Sequence, residues 1–122
     1  ALGNGLDPHW ISRDAAVVQG YIADPLVHDR ITGRLARFIR DAGGPVLAAA
    51  SRWSVPTLLM WAGADRCVAP AGSQRFADQV PSRLMTARAW PELAHEIFNE
   101  PEREEVLGEL DRWLDQRFPS GV

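Results

Sequence analysis

The chain has 122 residues, of which 46% are hydrophobic, and its formal net charge is −3. This length allows at most one folded domain, and the apolar fraction excludes a disordered chain. All 13 basic residues are arginines, and they are scattered along the chain rather than clustered. A nucleic-acid-binding surface is therefore not expected, and neither is a nucleic-acid partner.

Cysteine content and hydropathy indicate where such a chain resides. The single cysteine, Cys67, excludes an internal disulfide and is typical of a reducing compartment. The sequence contains neither a signal peptide nor an apolar run of membrane-spanning length, so the expected location is the cytoplasm. Three dispersed histidines and one cysteine do not favour a zinc site, and no metal or organic cofactor is expected.

The first 45 residues predict helices and loops. Ser12 is the expected N-cap of a short helix that runs to Tyr21. A second helix is predicted by apolar residues that recur with helical spacing, namely Ile31, Leu35, Phe38 and Ile39. Gly43 is expected to end this second helix.

From residue 55 onward the pattern changes to alternating strands and helices. The predicted elements are a strand at 55–63, a helix at 70–80, a strand at 84–90 and a helix at 101–118. The last helix is expected to begin at an Asn99 N-cap, and its predicted buried stripe is Val106, Leu110, Trp113 and Leu114. This order predicts an α/β fold with parallel strands flanked by helices, and two strands are too few to form such a sheet alone.

Two polar residues follow the carboxyl ends of the predicted strands. Asp65 lies in the loop after the first strand, and His95 lies in the loop after the second. If the strands are parallel neighbours, both loops leave the same edge of the sheet and the two side chains can meet. A carboxylate that accepts a hydrogen bond from Nδ1–H would orient the imidazole, so His95 would act as a general base and Asp65 as its partner.

Longer stretches of the chain resemble a known hydrolase family. The segments "VPTLLMWAGADRCVAPAGSQRFADQV" and "HEIFNEPEREEVLGELDRWL" are similar to the C-terminal part of the monoacylglycerol lipase and lysophospholipase branch of the α/β-hydrolases. Upstream, "LDPHWISRDAAVVQGYIADPLVHDR" resembles the end of the helical cap of that family, which is also related to the S33 serine aminopeptidases. The similarity covers nearly the whole chain.

This resemblance implies a division of the chain and a set of roles. Residues 1–45 would be the C-terminal part of the helical cap, and residues 46–122 the C-terminal part of the hydrolase core. Asp65 and His95 would be two members of a catalytic triad, and Tyr21 would help to hold a glycerol-like alcohol. The implied activity is hydrolysis of a small lipid ester such as monoacylglycerol, and the cap is a candidate for peripheral membrane contact.

The nucleophile is the element that the sequence does not supply. No Gly-x-Ser-x-Gly motif surrounds any of its serines, so the serine and the oxyanion hole are expected in an N-terminal half of the same enzyme. A lysophospholipase or peptidase on the same triad is an alternative, and so is a non-catalytic remnant or binding module. Tyr21 is also compatible with a packing role, and Cys67 is expected to be a buried apolar residue.

Overall fold

The computed structural model describes residues 2–119, which contain both helices and strands. The strands are β1 (Leu2–Gly3), β2 (Arg30–Ile31), β3 (Thr57–Ala62) and β4 (Met85–Trp90). The helices are α1 (Ala15–Ala23), α2 (Gly33–Ala49), α3 (Pro70–Gln79) and α4 (Arg103–Arg117). β1 pairs with β2 antiparallel, whereas β3 pairs with β4 parallel, so the predicted α/β class is confirmed.

The first helix begins later than the sequence predicts. Its N-cap is Asp14, whose carboxylate accepts a hydrogen bond from the backbone N–H of Ala16 at 2.8 Å. The prediction of Ser12 as the N-cap is wrong: its hydroxyl donates to the Glu100 carboxylate at 2.7 Å and accepts from the Asp14 backbone N–H at 2.9 Å, before the helix begins. The charge-assisted bond to the buried carboxylate holds Ser12 outside the helix, so Asp14, two residues later, caps it.

Helix α2 is longer than predicted. It begins after Thr32, whose hydroxyl accepts a hydrogen bond from the backbone N–H of Leu35 at 3.1 Å. It does not end at Gly43 but continues through Pro45 to Ala49. Its C-terminal half packs against α3, and this tertiary contact outweighs the local tendency of glycine and proline to end a helix.

The apolar face predicted for this helix is not buried among the described residues. Phe38 is 66% exposed and Ile39 is 62% exposed, and Ile31 belongs to β2 rather than to the helix. The expected boundary between residues 45 and 46 falls inside α2. The division into a cap part and a core part stays a prediction.

Strands β3 and β4 determine where the functional loops lie. They pair in register from Thr57 opposite Met85 to Ala62 opposite Trp90, and α3 connects them. Both strands therefore end at the same level, and their following loops leave the same edge of the sheet. This arrangement is the one expected from the β-α-β order.

The core lies under the loop that follows β4. It is formed by the apolar side chains of Ala62, Trp90, Leu93, Ile97 and Val106. Val106, which is fully buried, is the residue that α4 contributes to this core. The helix begins at Arg103, so the prediction of an Asn99 N-cap is wrong. The amide group of that asparagine donates to Glu96 at 2.8 Å and is not available to the helix.

A close approach of two backbones holds these loops together at Gly63. A Cβ atom at this position would lie 2.6 Å from Pro91 Cα and 2.9 Å from the Pro91 carbonyl oxygen. Backbone atoms cannot move aside as a flexible side chain can. We expect Gly63→Ala to lower the free energy of unfolding by about 1–3 kcal/mol, measured by urea denaturation of the protein.

Gly72→Ala is the matched control for this substitution. Gly72 lies in α3, and a Cβ atom there would have no neighbour within 4 Å. Alanine is the better helix former, so we expect an unchanged stability or a gain of up to about 1 kcal/mol. Equal stabilities for the two variants would show that the approach of Gly63 to Pro91 is not a constraint.

Candidate active site

Asp65 lies in the turn that follows β3. Its Oδ1 atom accepts hydrogen bonds from the backbone N–H groups of Cys67 at 2.7 Å and Val68 at 2.9 Å. Such turns are typical of aspartate, because its short side chain reaches the N–H groups two and three residues later. These bonds fix the carboxylate and leave Oδ2 directed towards the loop after β4.

His95 lies in that second loop, opposite Asp65. The backbone N–H of Ala64 donates to the carbonyl of Leu93 at 3.1 Å, which continues the contact between the two chain segments beyond the strand ends. As a result, His95 Nδ1 lies 2.8 Å from Asp65 Oδ2. The contact expected between the two side chains is present in the structure.

The electrostatics of the pair follow from its surroundings. The Asp65 side chain is 11% exposed and the His95 side chain is 39% exposed. Burial acts to raise the pKa of Asp65, but hydrogen bonds from His95 and from two backbone N–H groups outweigh it and hold the pKa below its ordinary value. The ionised carboxylate can only accept, so Nδ1 carries the proton and Nε2 is left as a base.

A cavity of about 430 Å³ opens beside this pair. Asp65 and His95 form part of its wall, and its apolar lining includes Met60, Trp61, Val68, Ile97 and Phe98. It lies beyond the carboxyl ends of the strands, the usual place for a ligand in an open α/β sheet. A predominantly apolar lining suits a substrate with a hydrocarbon chain.

Comparison with known proteins identifies the family. A family model described as serine aminopeptidase, S33, matches residues 1–102. The chain belongs to this family of α/β-hydrolases. The chain is also similar to a crystallised monoacylglycerol lipase of Paleococcus ferrophilus, with 38% sequence identity and a TM-score of 0.87. That match covers 93% of this chain and 44% of the lipase, and it confirms the predicted fold.

Curated relatives give the same assignment. A monoacylglycerol lipase of Mycolicibacterium smegmatis is 36% identical over 110 residues, which are 89% of this chain and 39% of that lipase. Phospholipase YtpA of Bacillus subtilis is 30% identical over 116 residues, covering 94% of this chain and 45% of the phospholipase. The chain thus spans less than half the length of these relatives, and it matches the C-terminal part of such enzymes.

Tyr21 does not lie at the Asp65–His95 cavity. It belongs to α1 and lines a separate cavity of about 190 Å³, together with Pro8, Val27 and other neighbours. The structure thus brings together two of the three predicted site residues and places the third elsewhere.

Cys67 belongs to the site rather than to the core. It is half-buried, and one ligand atom each from Asp65, Cys67 and His95 lie within 4.8 Å of one another. Burial and the charges of Asp65 and Glu96 raise the pKa of the thiol. These three side chains are the one group of potential metal ligands found this close together among residues 2–119. A protonated thiol, however, is neither a good nucleophile nor a metal ligand.

The sequence gives no sign of a further cluster next to the histidine. Glu100 is completely buried and accepts hydrogen bonds from Ser12 and Arg13, which lie 88 and 87 positions earlier in the chain. Its position just before Pro101 suggests only a loop residue ahead of a helix. No local pattern could reveal it, because its partners are distant in sequence.

Proposed function

We propose that the chain carries the aspartate and histidine of a Ser-His-Asp triad in a serine-type carboxylic ester hydrolase that acts on lipid esters. The proposed substrate is monoacylglycerol, cleaved to glycerol and a fatty acid. The observation that carries this proposal is the contact of 2.8 Å between His95 Nδ1 and Asp65 Oδ2, beside an apolar cavity. The names of two similar proteins, both monoacylglycerol lipases, support the substrate.

In the proposed mechanism, His95 moves the proton. Its Nε2 takes the proton of the serine hydroxyl as the oxygen attacks the ester carbonyl, and then gives it to the leaving alcohol. In the second half-reaction, Nε2 removes a proton from water as the water oxygen attacks the acyl-enzyme carbonyl, and it then returns this proton to the serine oxygen as the fatty acid leaves. Asp65 stabilises the imidazolium formed in each half, and it keeps the base on the correct nitrogen.

The serine and the oxyanion hole are proposed to come from an N-terminal half of the same enzyme. Among residues 2–119, β3 is hydrogen-bonded to a neighbouring strand on the β4 side only. A cavity of about 460 Å³ lies beside β3, and its lining includes Leu58, Met60, Phe98 and Trp113. An unpaired strand edge next to an apolar surface fits further strands and helices of an α/β-hydrolase sheet.

A substrate panel tests this proposal in the intact enzyme. We expect the highest kcat/KM for monoacylglycerol, lower values for lysophospholipid and simple nitrophenyl esters, and no cleavage of an aminopeptidase substrate. A strong preference for amide substrates would refute the lipid esterase proposal while leaving the triad in place. A preference for phospholipid would support a second candidate, a phospholipase on the same triad, which the similarity to the Bacillus subtilis protein favours.

Tyr21 is proposed to contact the glycerol part of the substrate, on the family resemblance alone. We expect Tyr21→Phe to raise KM for monoacylglycerol by about 3- to 10-fold, because one hydrogen bond is worth about 0.5–1.5 kcal/mol. The kcat/KM for a nitrophenyl ester, which has no glycerol group, should stay unchanged and serves as the control. Equal effects on both substrates would indicate a packing role instead.

Peripheral membrane contact through the helical cap is a further part of the proposal. In the described part of the chain, no helix is both long enough and apolar enough to cross a bilayer. The exposed apolar side chains Leu35, Phe38 and Ile39 project from α2, most of which falls within residues 1–45, the part of the chain proposed to be the cap. Binding of the intact enzyme to lipid vesicles, compared with a Phe38→Ser variant, tests this contact.

A further inference from the structure

A buried carboxylate, that of Glu100, lies beside the loop after β4 that carries His95, which we call the histidine loop. The Glu100 side chain is 0% exposed and accepts four hydrogen bonds. Its Oε1 atom accepts from the Ser12 hydroxyl at 2.7 Å and from the Arg13 backbone N–H at 2.6 Å. Its Oε2 atom accepts from Arg13 Nε at 2.7 Å and from the Ala94 backbone N–H at 2.8 Å. Four donors satisfy this charge completely, which is the condition for keeping a carboxylate in the interior.

These bonds connect the histidine loop to a distant segment of the chain. Ala94 immediately precedes His95, so its N–H group belongs to the same short stretch of backbone as the histidine. On the other side of the histidine, the Glu96 backbone N–H donates to the carbonyl of Ile11 at 2.8 Å. The segment from Ile11 to Arg13 thus holds the backbone on both sides of His95, through Glu100 on one side and directly on the other.

We infer that Glu100 is a positioning residue for His95, which fixes the orientation of the imidazole by clamping the preceding peptide to the Ser12–Arg13 segment. This inference rests on the proposed function, because it assigns a role in proton transfer to a residue that does not touch the substrate. It also couples the helical cap to the catalytic base, since the segment at Ser12 leads directly into α1. A shift of the cap would move the bonds that hold the histidine.

The character of the bonds supports positioning over a purely structural role. Burial acts to raise the pKa of Glu100, but hydrogen bonds from the Ala94 N–H, Arg13 and Ser12 outweigh it and keep the pKa below its ordinary value. The carboxylate is therefore charged at neutral pH, and its bonds are of the short charge-assisted type. Arg13 and Ser12 alone would provide three donors for the charge. The fourth bond, to Ala94, is the one that reaches the histidine loop.

Glu100→Gln tests the inference in the intact enzyme. Glutamine has the shape of glutamate but one acceptor oxygen, so its NH₂ group must face one pair of donors. If the NH₂ group takes the place of Oε2, the bond to the Ala94 N–H is lost. If it takes the place of Oε1, the Ser12 hydroxyl and the Arg13 backbone N–H lose their acceptor, and Ala94 stays linked through Arg13 Nε alone. We expect kcat to fall about 10- to 100-fold through misplacement of the base, while KM for a nitrophenyl ester changes less than about twofold.

Glu102→Gln is the matched control. Glu102 contacts the Arg13 guanidinium from the exposed side and has no bond to the histidine loop. We expect this variant to keep the natural kcat. Ser12→Ala provides a second test, which does not depend on whether Glu100→Gln folds. This variant removes one of the four hydrogen-bond donors to the Glu100 carboxylate and leaves the other three. Its kcat should fall about two- to fivefold, again with little change in KM.

The proton on His95 Nδ1 gives a readout that does not depend on turnover. Its downfield NMR resonance should be sharp in the natural enzyme and in Glu102→Gln, and broadened or lost in Glu100→Gln. A sharp, unshifted resonance together with the natural kcat in Glu100→Gln would overturn the inference. His95→Ala separates this result from failure of the proposed function. If the His95→Ala enzyme is active, the triad itself is refuted. If His95→Ala is inactive but Glu100→Gln is fully active, only the positioning role of Glu100 is refuted.

Discussion

Replacing His95 with alanine should lower kcat for ester hydrolysis by roughly 10⁶-fold in the intact enzyme, as removal of the triad histidine does in a serine protease. The serine hydroxyl is a poor nucleophile without a base to take its proton. The other ionisable side chains that line the cavity, Asp65 and Glu96, are carboxylates, and a carboxylate is a much weaker base than an imidazole. Cys67 is nearby, but its raised pKa keeps the thiol protonated. The measurement is the steady-state rate with monoacylglycerol and with a nitrophenyl ester.

The fold should survive this substitution. The His95 side chain is 39% exposed, so its removal leaves no large cavity, and the lost hydrogen bond is worth about 1 kcal/mol. His9→Ala is the matched control, because His9 Nδ1 also lies 2.8 Å from a carboxylate, that of Asp7. That pair is exposed and two residues apart in sequence, and we expect its loss to leave the rate unchanged. Comparable losses in both variants would contradict the assignment of His95.

Asp65→Asn should lower kcat by about 10³- to 10⁴-fold, as the corresponding substitution does in a serine protease triad. The structure explains why. Oδ1 of Asp65 accepts two hydrogen bonds, from the backbone N–H groups of Cys67 and Val68. An asparagine must keep its carbonyl oxygen there, so its NH₂ group faces His95 Nδ1. That nitrogen then has to accept, and the proton moves to Nε2, where the base is needed.

The pH dependence of this variant gives an independent check. Raising the pH cannot restore the base in Asp65→Asn, because the wrong tautomer is neutral, so kcat should stay low across the range in which the natural enzyme is active. Asp7→Asn, which changes the aspartate of the exposed Asp7–His9 pair, is the control and should behave like the natural enzyme. Natural activity in Asp65→Asn would remove this residue from the triad.

Much of the sheet and the placement of the candidate site could be predicted from local patterns. The apolar run at residues 55–63 contains β3 (Thr57–Ala62), and the run at 84–90 contains β4 (Met85–Trp90). Each run is bounded by glycine or proline, so the local signal and the tertiary environment agree. The meeting of Asp65 with His95 then follows from the β-α-β order, because parallel neighbours end at one edge. Their catalytic role is the part that stays a proposal.

Tertiary structure alone decided the features that depend on residues far apart in the chain. Ser12 has the local pattern of a helix N-cap, yet its hydroxyl lies against the buried carboxylate of Glu100, 88 positions away. Gly43 has the local pattern of a helix end, yet contact with α3 carries α2 past it. Local signals of this kind are worth about 1 kcal/mol each, and a buried charge left without its donors costs several times more. Composition and periodicity therefore determined the strands and loops that carry Asp65 and His95, whereas the network that holds the histidine depends on a charge buried by the fold.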